Sequence, residues 1–149
     1  MMKISEISKP DRSEKVVKEL TALWNRSVRT THHFLTEQDI LNLQPVVGQG
    51  IANITTLAVA DCRGAAVGFI GVDGDKIEML FVAPEFIGKG VGYSLFEWAR
   101  KECGVNKIDV NEQNEYAAAV YRHWGFRTYD RTDTDEQGNP FPILKMRLE

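Results

Sequence analysis

The hydrophobic positions of this 149-residue chain follow two periods, one helical and one alternating. In the first third, apolar residues such as Val16 and Leu20 recur at helical spacing, which predicts an amphipathic helix. We expect this helix to begin at Pro10 and Asp11, because Asp11 and Glu14 have the spacing of a capping box. The preceding segment KISEI is typical of a short strand.

A second helix is predicted to follow Thr36 as its N-cap, while Pro45 and Gly48 weaken its continuation. The period then changes to two. The runs TTLAVA, AAVGFIGV and KIEMLFVA are separated by turns at residues 61–64 and 73–74, which predicts three strands. The middle of the chain is therefore expected to form an antiparallel meander.

The second half alternates helices and strands. We predict a helix from Gly92 to Cys103, ended by Gly104, and a further helix capped by Asn114. The runs KIDV, FRTYDRT and FPILKMRL are predicted to be strands. The resulting order, β-α-α-β-β-β-α-β-α-β-β, indicates a mixed α+β fold, with six to seven strands in a twisted sheet flanked by about four helices.

Composition narrows the class of protein. Residues 1–149 are expected to form one domain, since 149 residues is a typical length for one. The contents of 43% apolar and 26% charged residues are ordinary for a soluble globular protein. The formal charge of −3 argues against a general nucleic-acid binder. The sequence contains neither a signal-like apolar segment nor an apolar run long enough to span a membrane, so we expect a cytoplasmic protein. Cys62 and Cys103 lack metal-type spacing, which favours reduced thiols and no metal site.

Three glycines, Gly88, Gly90 and Gly92, lie between the third strand of the meander and the next helix. The start of a helix carries unpaired N–H donors and partial positive charge, and glycines allow a phosphate to approach them. Lys89 adds a nearby cation. The Walker pattern is absent, and a dinucleotide fingerprint fails because Gly92 falls one residue early. A glycine-rich turn that serves only helix–strand packing is the structural alternative.

The run IEMLFVAPEFIGKGVGYSLFEWA resembles the central motif of the GNAT N-acetyltransferases, a strand followed by V-x-P and R/Q-x-x-G-x-G/A. The run VNEQNEYAAAVYRHWGF is similar to the second motif of that family, and the resemblance extends from about Thr55 to the C-terminus. It implies a GNAT fold that uses acetyl-CoA as cosubstrate. One position departs from the family, because Ile87 stands where Arg or Gln is expected, which implies weaker cofactor binding.

The resemblance implies roles for particular residues. Glu78 would be the general base and Tyr121 would protonate the leaving thiolate. Backbone groups near Phe81 and Val82 would polarise the thioester carbonyl. The cofactor-binding set would be Leu80, Phe81, Val82, Gly88, Lys89, Gly90, Val91, Gly92, Tyr93 and Asn114.

Each of these roles has a purely structural alternative. Strand alternation puts Glu78 on one face with Leu80 and Val82, where it is either a base or an exposed charge without chemistry. Tyr121 falls on the apolar stripe of its helix and is otherwise a core aromatic, with Tyr116 as a rival acid. The N-cap role alone would explain Asn114.

The segment between the first two helices mixes aromatic and hydrogen-bonding groups, as small-ligand sites do. By resemblance it forms one wall of the acceptor pocket, and either His32 or His33 is an alternative base. The acidic loop at residues 133–142 is the other candidate wall, or a solvated loop. The predicted acceptor-binding residues are Trp24, Ser27, Thr31, His32, Phe34 and Asp135.

We therefore expect an acetyl-CoA-dependent N-acetyltransferase in which a primary amine attacks the thioester directly in a ternary complex. The acceptor would be a polyamine, an amino acid, an antibiotic or a protein amine, and the chain would be a monomer or a homodimer. A non-catalytic acyl-CoA sensor on the same fold is the main alternative, favoured by Ile87, and a nucleotide-binding oxidoreductase is the other. The segments W-x-x-S-V-x-x-T-H and N-E-Q-N resemble a bacterial subgroup of small acetyltransferases.

Overall fold

The computed structural model describes residues 2–149. Its elements follow the order that the sequence predicts: β1 (Met2–Glu6), α1 (Glu14–Thr31), α2 (Glu37–Asn53), β2 (Thr56–Cys62), β3 (Ala65–Asp73), β4 (Lys76–Val82), α3 (Val91–Cys103), β5 (Lys107–Asn111), α4 (Glu115–His123), β6 (Phe126–Thr132) and β7 (Ile143–Leu148). The predicted mixed α+β fold with a seven-stranded sheet is confirmed.

The sheet has the strand order β1-β2-β3-β4-β5-β7-β6. All neighbouring strands are antiparallel except β4 and β5, which the crossover helix α3 joins in parallel. This parallel pairing covers only Lys76 with Lys107 and Ile77 with Ile108. Beyond these two pairs β4 and β5 separate, and the sheet is open at its centre.

Two apolar cores cover the two faces of the sheet. On one face, α3 and α4 pack over a core that includes Ile70, Leu95, Phe96, Phe126 and Met146. On the other face, α1 and α2 pack over a core that includes Leu20, Trp24, Ile51, Leu57 and Phe69. The helices therefore anchor both sides of the central opening.

The start of α1 differs from the sequence prediction. Asp11 belongs to a short 3₁₀ turn (Lys9–Asp11), and α1 begins three residues later with Ser13 as its N-cap. The cause is Arg12, a buried guanidinium that donates to the carbonyl oxygens of Ile7 and of residues at the end of α2. This inward turn of Arg12 interrupts the helical path.

The second helix is also longer than Pro45 and Gly48 suggest. Thr36 caps it as predicted, but α2 continues to Asn53. Packing compensates for the hydrogen bond that Pro45 cannot donate, because Ile51 is fully buried and Gly48 faces α1, where an added Cβ would lie in contact with Thr21 and Val17.

No helix within residues 2–149 is long and apolar enough to cross a membrane.

Candidate active site

A groove of about 930 Å³ opens where β4 and β5 separate. The start of α3 and the inner face of α4 form one side, and the end of α1 forms part of the other. The groove thus lies between the two cores and reaches both faces of the sheet.

The hydrogen bonding of β4 leaves one of its edges free within the groove. The amide of Ala83 donates to the carbonyl of Val67 at 2.8 Å, which makes Phe81 and Phe69 a hydrogen-bonded pair in the antiparallel register. The backbone groups of Leu80 and Val82 therefore face the side on which β5 has diverged. The sequence prediction named the backbone groups near Phe81 and Val82 as donors to the thioester. In this register the backbone of Phe81 faces β3, and the groups that face the groove are those of Leu80 and Val82.

The glycine-rich junction presents main-chain donors to the groove. Gly88 and Gly90 have φ values of 80° and 85°, which are left-handed conformations that favour glycine. Gly90 is the N-cap of α3 and has no side-chain capping bond. The amides of residues 91–93 precede the first bond of the helix, Ser94 to Gly90, and remain available to an anion.

The side chains beside this junction are less polar than in the family pattern. Ile87 lines the groove and contributes an apolar surface where the family has Arg or Gln. The ammonium of Lys89 lies 5.5 Å from the centre of the Phe86 ring. Lys89 is not among the residues that line the groove, so the main-chain donors are the features of the groove itself that fit a diphosphate.

Tyr121 lies on α4 among aromatic rings and lines the groove. Its ring is 5.4 Å from that of Trp124 and 6.2 Å from that of Phe126. Burial raises the pKa of its phenol well above the ordinary value, so the group stays protonated. Among residues 2–149 its hydroxyl has no hydrogen-bond partner, and it is free to donate. The rival Tyr116 also lines the groove, but it is 57% exposed.

Glu78 occupies a β-bulge. Gly71 pairs with Met79 and Val72 pairs with Ile77, so Glu78 has no partner on β3. The extra residue breaks the alternation that the sequence predicts. Ile77 therefore packs with Leu80 and Val82 beneath α3, rather than with Met79 and Phe81.

The carboxylate of Glu78 lines the groove beside two charged side chains. The Lys76 ammonium lies 3.6 Å from Glu78 and 2.8 Å from Asp109, the first residue of β5 beyond the paired segment. Partial burial raises the pKa of Glu78 against the opposing effect of Lys76, and Glu136 and Asp109 add to the rise. These features suit a carboxylate that accepts a proton.

A chain of hydrogen bonds fixes His32 at the end of α1. Thr31 donates to the carbonyl of Ser27 at 3.0 Å and therefore accepts from Nδ1 of His32 at 2.8 Å. The Nε2 atom then accepts from the amide of Asn114 at 3.4 Å. Burial lowers the pKa of His32 to about 4, with His33 adding to the effect, so the imidazole is neutral. Ser27, Thr31, His32 and Asn114 all line the groove.

Asn114 has two structural connections. Its side-chain oxygen accepts from the amide of Ala117 at 3.2 Å, which confirms the N-cap prediction. Its amide nitrogen makes the contact with His32. The residue is 6% exposed and stands at the wall of the groove, so its contact to the cofactor arm stays a prediction.

Three predicted acceptor residues lie outside the groove lining. Trp24 is buried in the core beneath α1 and α2, because its side chain completes the apolar face of α1. Asp135 accepts from the amides of Gln137 and Asn139 and so organises its own loop. Phe34 packs between His32 and Phe141, at ring distances of 5.4 and 5.6 Å, and supports His32 from behind.

Lys76 and Asp109 belong to this site although neither was predicted for it from the sequence. Asp109 alternates with the buried residues Ile108 and Val110, so its side chain projects from the opposite face of β5. That alternation is visible in the sequence. The parallel pairing of β4 with β5, which brings Asp109 beside Lys76, is not.

Comparison with known proteins identifies the relatives of this chain. A family model described as an acetyltransferase (GNAT) domain matches residues 25–149. The peptidyl-lysine N-acetyltransferase YjaB of Escherichia coli is 34% identical over 128 residues, which cover 86% of this chain and 87% of YjaB. The solution structure of apo YjaB aligns with a TM-score of 0.86 and 32% identity, over 99% of this chain and 97% of that chain.

A more distant structure supports the fold. The PaiA N-acetyltransferase of Thermoplasma acidophilum, solved in complex with coenzyme A, aligns with a TM-score of 0.71 and 21% identity over 99% of each chain. At this identity the likeness concerns the fold alone.

Proposed function

This chain belongs to the GNAT family as an acetyl-CoA-dependent N-acetyltransferase, and on that premise we propose that its acceptor is the side-chain amine of a lysine in a protein or peptide. The relatives named peptidyl-lysine N-acetyltransferases support this choice. So does the open groove, where Glu78, Asp109 and Glu136 outnumber the Lys76 ammonium beside them and leave a net negative charge that would attract a cationic side chain.

The free edge of β4 and the start of α3 would hold acetyl-CoA. The amides of residues 91–93 suit the diphosphate, and the backbone of Leu80 and Val82 suits the amide-containing arm. The amide of Val82 would donate to the thioester carbonyl oxygen and stabilise the negative charge that develops on it. The thioester supplies the activated acetyl group.

Glu78 would accept the proton that the amine loses as its nitrogen bonds to the carbonyl carbon. An amine with a pKa near 10.4 is mostly protonated at neutral pH, so a nearby carboxylate with a raised pKa assists the attack. His32 is the weaker candidate, because burial depresses its pKa to about 4 and Asn114 occupies its Nε2 atom. We therefore propose Glu78 as the base and His32 as part of the acceptor wall.

Tyr121 would act on the other side of the reaction. When the tetrahedral intermediate collapses, the carbon–sulfur bond breaks and the sulfur takes its electron pair. The unpaired, protonated hydroxyl of Tyr121 can then donate its proton to the thiolate. The products are the acetylated amine and free coenzyme A.

The observation that carries the proposal is the separation of β4 from β5 after two residue pairs. It opens one groove in which Glu78 and Tyr121 both line the walls. A cytoplasmic location, also proposed, fits the free thiols of Cys62 and Cys103.

The acceptor is tested by coenzyme A release with a lysine peptide whose N-terminus is blocked. Matched peptides carry arginine or Nε-acetyl-lysine at the same position, and a second series offers polyamines and a free N-terminus. We expect coenzyme A to be released only with the peptide that carries an unmodified lysine side chain, together with a mass increase of one acetyl group on that residue. Turnover with polyamines or N-termini but not with lysine would overturn the proposed acceptor.

A further inference from the structure

Lys76 is shared unequally between two carboxylates. Its ammonium is 2.8 Å from Asp109, a hydrogen-bonding distance, and 3.6 Å from Glu78, which is too long for a hydrogen bond. The three side chains are about one quarter to one third exposed. In such partly desolvated surroundings, the basicity of Glu78 depends on whether Asp109 or Glu78 holds the Lys76 ammonium.

We propose that Asp109 is a positioning residue for acetyl transfer, which holds the Lys76 ammonium and thereby leaves the Glu78 carboxylate free to take the acceptor proton. The proposal rests on the proposed role of Glu78. It assigns to Asp109 and Lys76 a part in the reaction without contact to the reacting atoms.

The backbone supports this division of contacts. Glu78 and Asp109 are the first residues of β4 and β5 beyond the last paired rung, Ile77 with Ile108. The bulge at Glu78 removes it from the register with β3. Because Asp109 is held in the ladder between β5 and β7, opposite Lys145, it offers Lys76 a fixed partner.

The charges that face Glu78 come from three elements. Lys76 lies on β4, Asp109 lies on β5, and Glu136 lies in the loop between β6 and β7. The end of α1 contributes His32, which is neutral. Partial burial disfavours the positive charge of Lys76. The three carboxylates Asp109, Glu78 and Glu136 nevertheless raise the pKa of Lys76, so it remains an ammonium.

The experiment measures the pH dependence of kcat for coenzyme A release in matched variants. Asp109→Asn frees Lys76 to pair with Glu78, which lowers the pKa of Glu78. We therefore expect the acidic limb of the pH profile of kcat to move to lower pH by about one pH unit. The maximal kcat should fall about threefold, since the base becomes weaker. Lys76→Met removes the cation, and its limb should move about one unit higher.

Controls separate this effect from a general loss of charge or fold. Asp75→Asn removes an aspartate from the neighbouring exposed pair with Lys107, and should leave the limb in place. Asp109→Glu restores a carboxylate and should return the limb towards the wild-type position. Thermal unfolding and acetyl-CoA binding report whether each variant keeps its structure. If Asp109→Asn does not fold, the shifts of Lys76→Met and Asp109→Glu decide the question.

Two failures are distinguishable. If Glu78→Gln keeps both its activity and the acidic limb, the proposed base is wrong and the role of Asp109 falls with it. If Glu78→Gln abolishes the limb while Asp109→Asn and Lys76→Met leave it unmoved, Glu78 stands as the base and the positioning role of Asp109 is overturned.

Discussion

The Nε2 atom of His32 lies 3.4 Å from the side-chain nitrogen of Asn114, and this contact joins the end of α1 to the start of α4. Because amide nitrogens only donate, the contact requires the neutral tautomer of His32 that carries its proton on Nδ1. The same helix, α4, carries Tyr121. A histidine of the proposed acceptor wall is thus linked to the helix of the proposed acid.

The stability of the protein is expected to depend on pH through His32. Its pKa is about 4 in the folded protein and near 6.5 when unfolded. The unfolded state therefore binds more protons between these values, and the free energy of unfolding falls as the pH drops from 6.5 to 4, by up to about 3 kcal/mol. Denaturant unfolding of His32→Gln should show a flatter dependence over this range.

The exposed neighbour His33 provides the matched control. His33→Gln should keep most of the pH dependence, since burial is the larger cause of the lowered pKa of His32 and the charge of His33 is the smaller one. Equal slopes for wild type and His32→Gln would contradict a buried, neutral His32.

Removing the hydroxyl of Tyr121 should slow the chemical step. We expect Tyr121→Phe to lower kcat by about 10²-fold, because the leaving thiolate loses its proton donor. The dissociation constant for acetyl-CoA should change little, since the ring still packs against Trp124. Steady-state coenzyme A release and calorimetric binding measure the two quantities. Tyr116→Phe, at a ring that also lines the groove but is 57% exposed, should lower kcat far less, and unchanged kcat in Tyr121→Phe would exclude Tyr121 as the acid.

Restoring a cation at Ile87 should tighten cofactor binding. Ile87 lines the groove beside the glycine-rich junction, and an arginine there could donate to the diphosphate. One such charge-assisted bond corresponds to a decrease of about tenfold in the dissociation constant of Ile87→Arg for acetyl-CoA. Calorimetry at two salt concentrations should show that the gain shrinks at high salt, and Ile87→Leu should bind as wild type does. An unchanged affinity of Ile87→Arg would place the diphosphate elsewhere.

Gly90 should be required for cofactor binding and not only for stability. Gly90 and Gly64 both have left-handed φ values, 85° and 81°, and neither has atoms near the position of an added Cβ. Alanine at either position should therefore cost about 1–2 kcal/mol of unfolding free energy from backbone strain. Only Gly90→Ala should also weaken acetyl-CoA binding, because it alters the donors at the start of α3. Equal binding by Gly90→Ala and Gly64→Ala would argue against this anion site.

The periodic segments were predictable, whereas the details of the site were not. The helices and strands appear in the predicted order because their apolar spacing matches the faces that pack into the two cores. The glycine-rich junction and Tyr121 were located from local motifs. The bulge at Glu78 was not, because it depends on the register between β3 and β4.

The start of α1 and the loop of Asp135 also differ from the sequence prediction. The guanidinium of Arg12 reaches the end of α2, about forty positions away, and this moves the start of α1. Asp135 was predicted to face an amine, but it accepts hydrogen bonds from its own loop. The Arg12 contact has no signature in the neighbouring residues, whereas the partners of Asp135 are only two and four positions along the chain.

The two-pair junction between β4 and β5 makes this sheet two half-sheets that share little main-chain bonding. A bound pantetheine arm would act as a surrogate strand in the gap, so the substrate itself would complete the protein's secondary structure. Amide hydrogen exchange at Leu80 and Val82 should then slow when acetyl-CoA binds and recover when the product leaves. Each catalytic cycle would close and reopen the middle of the fold.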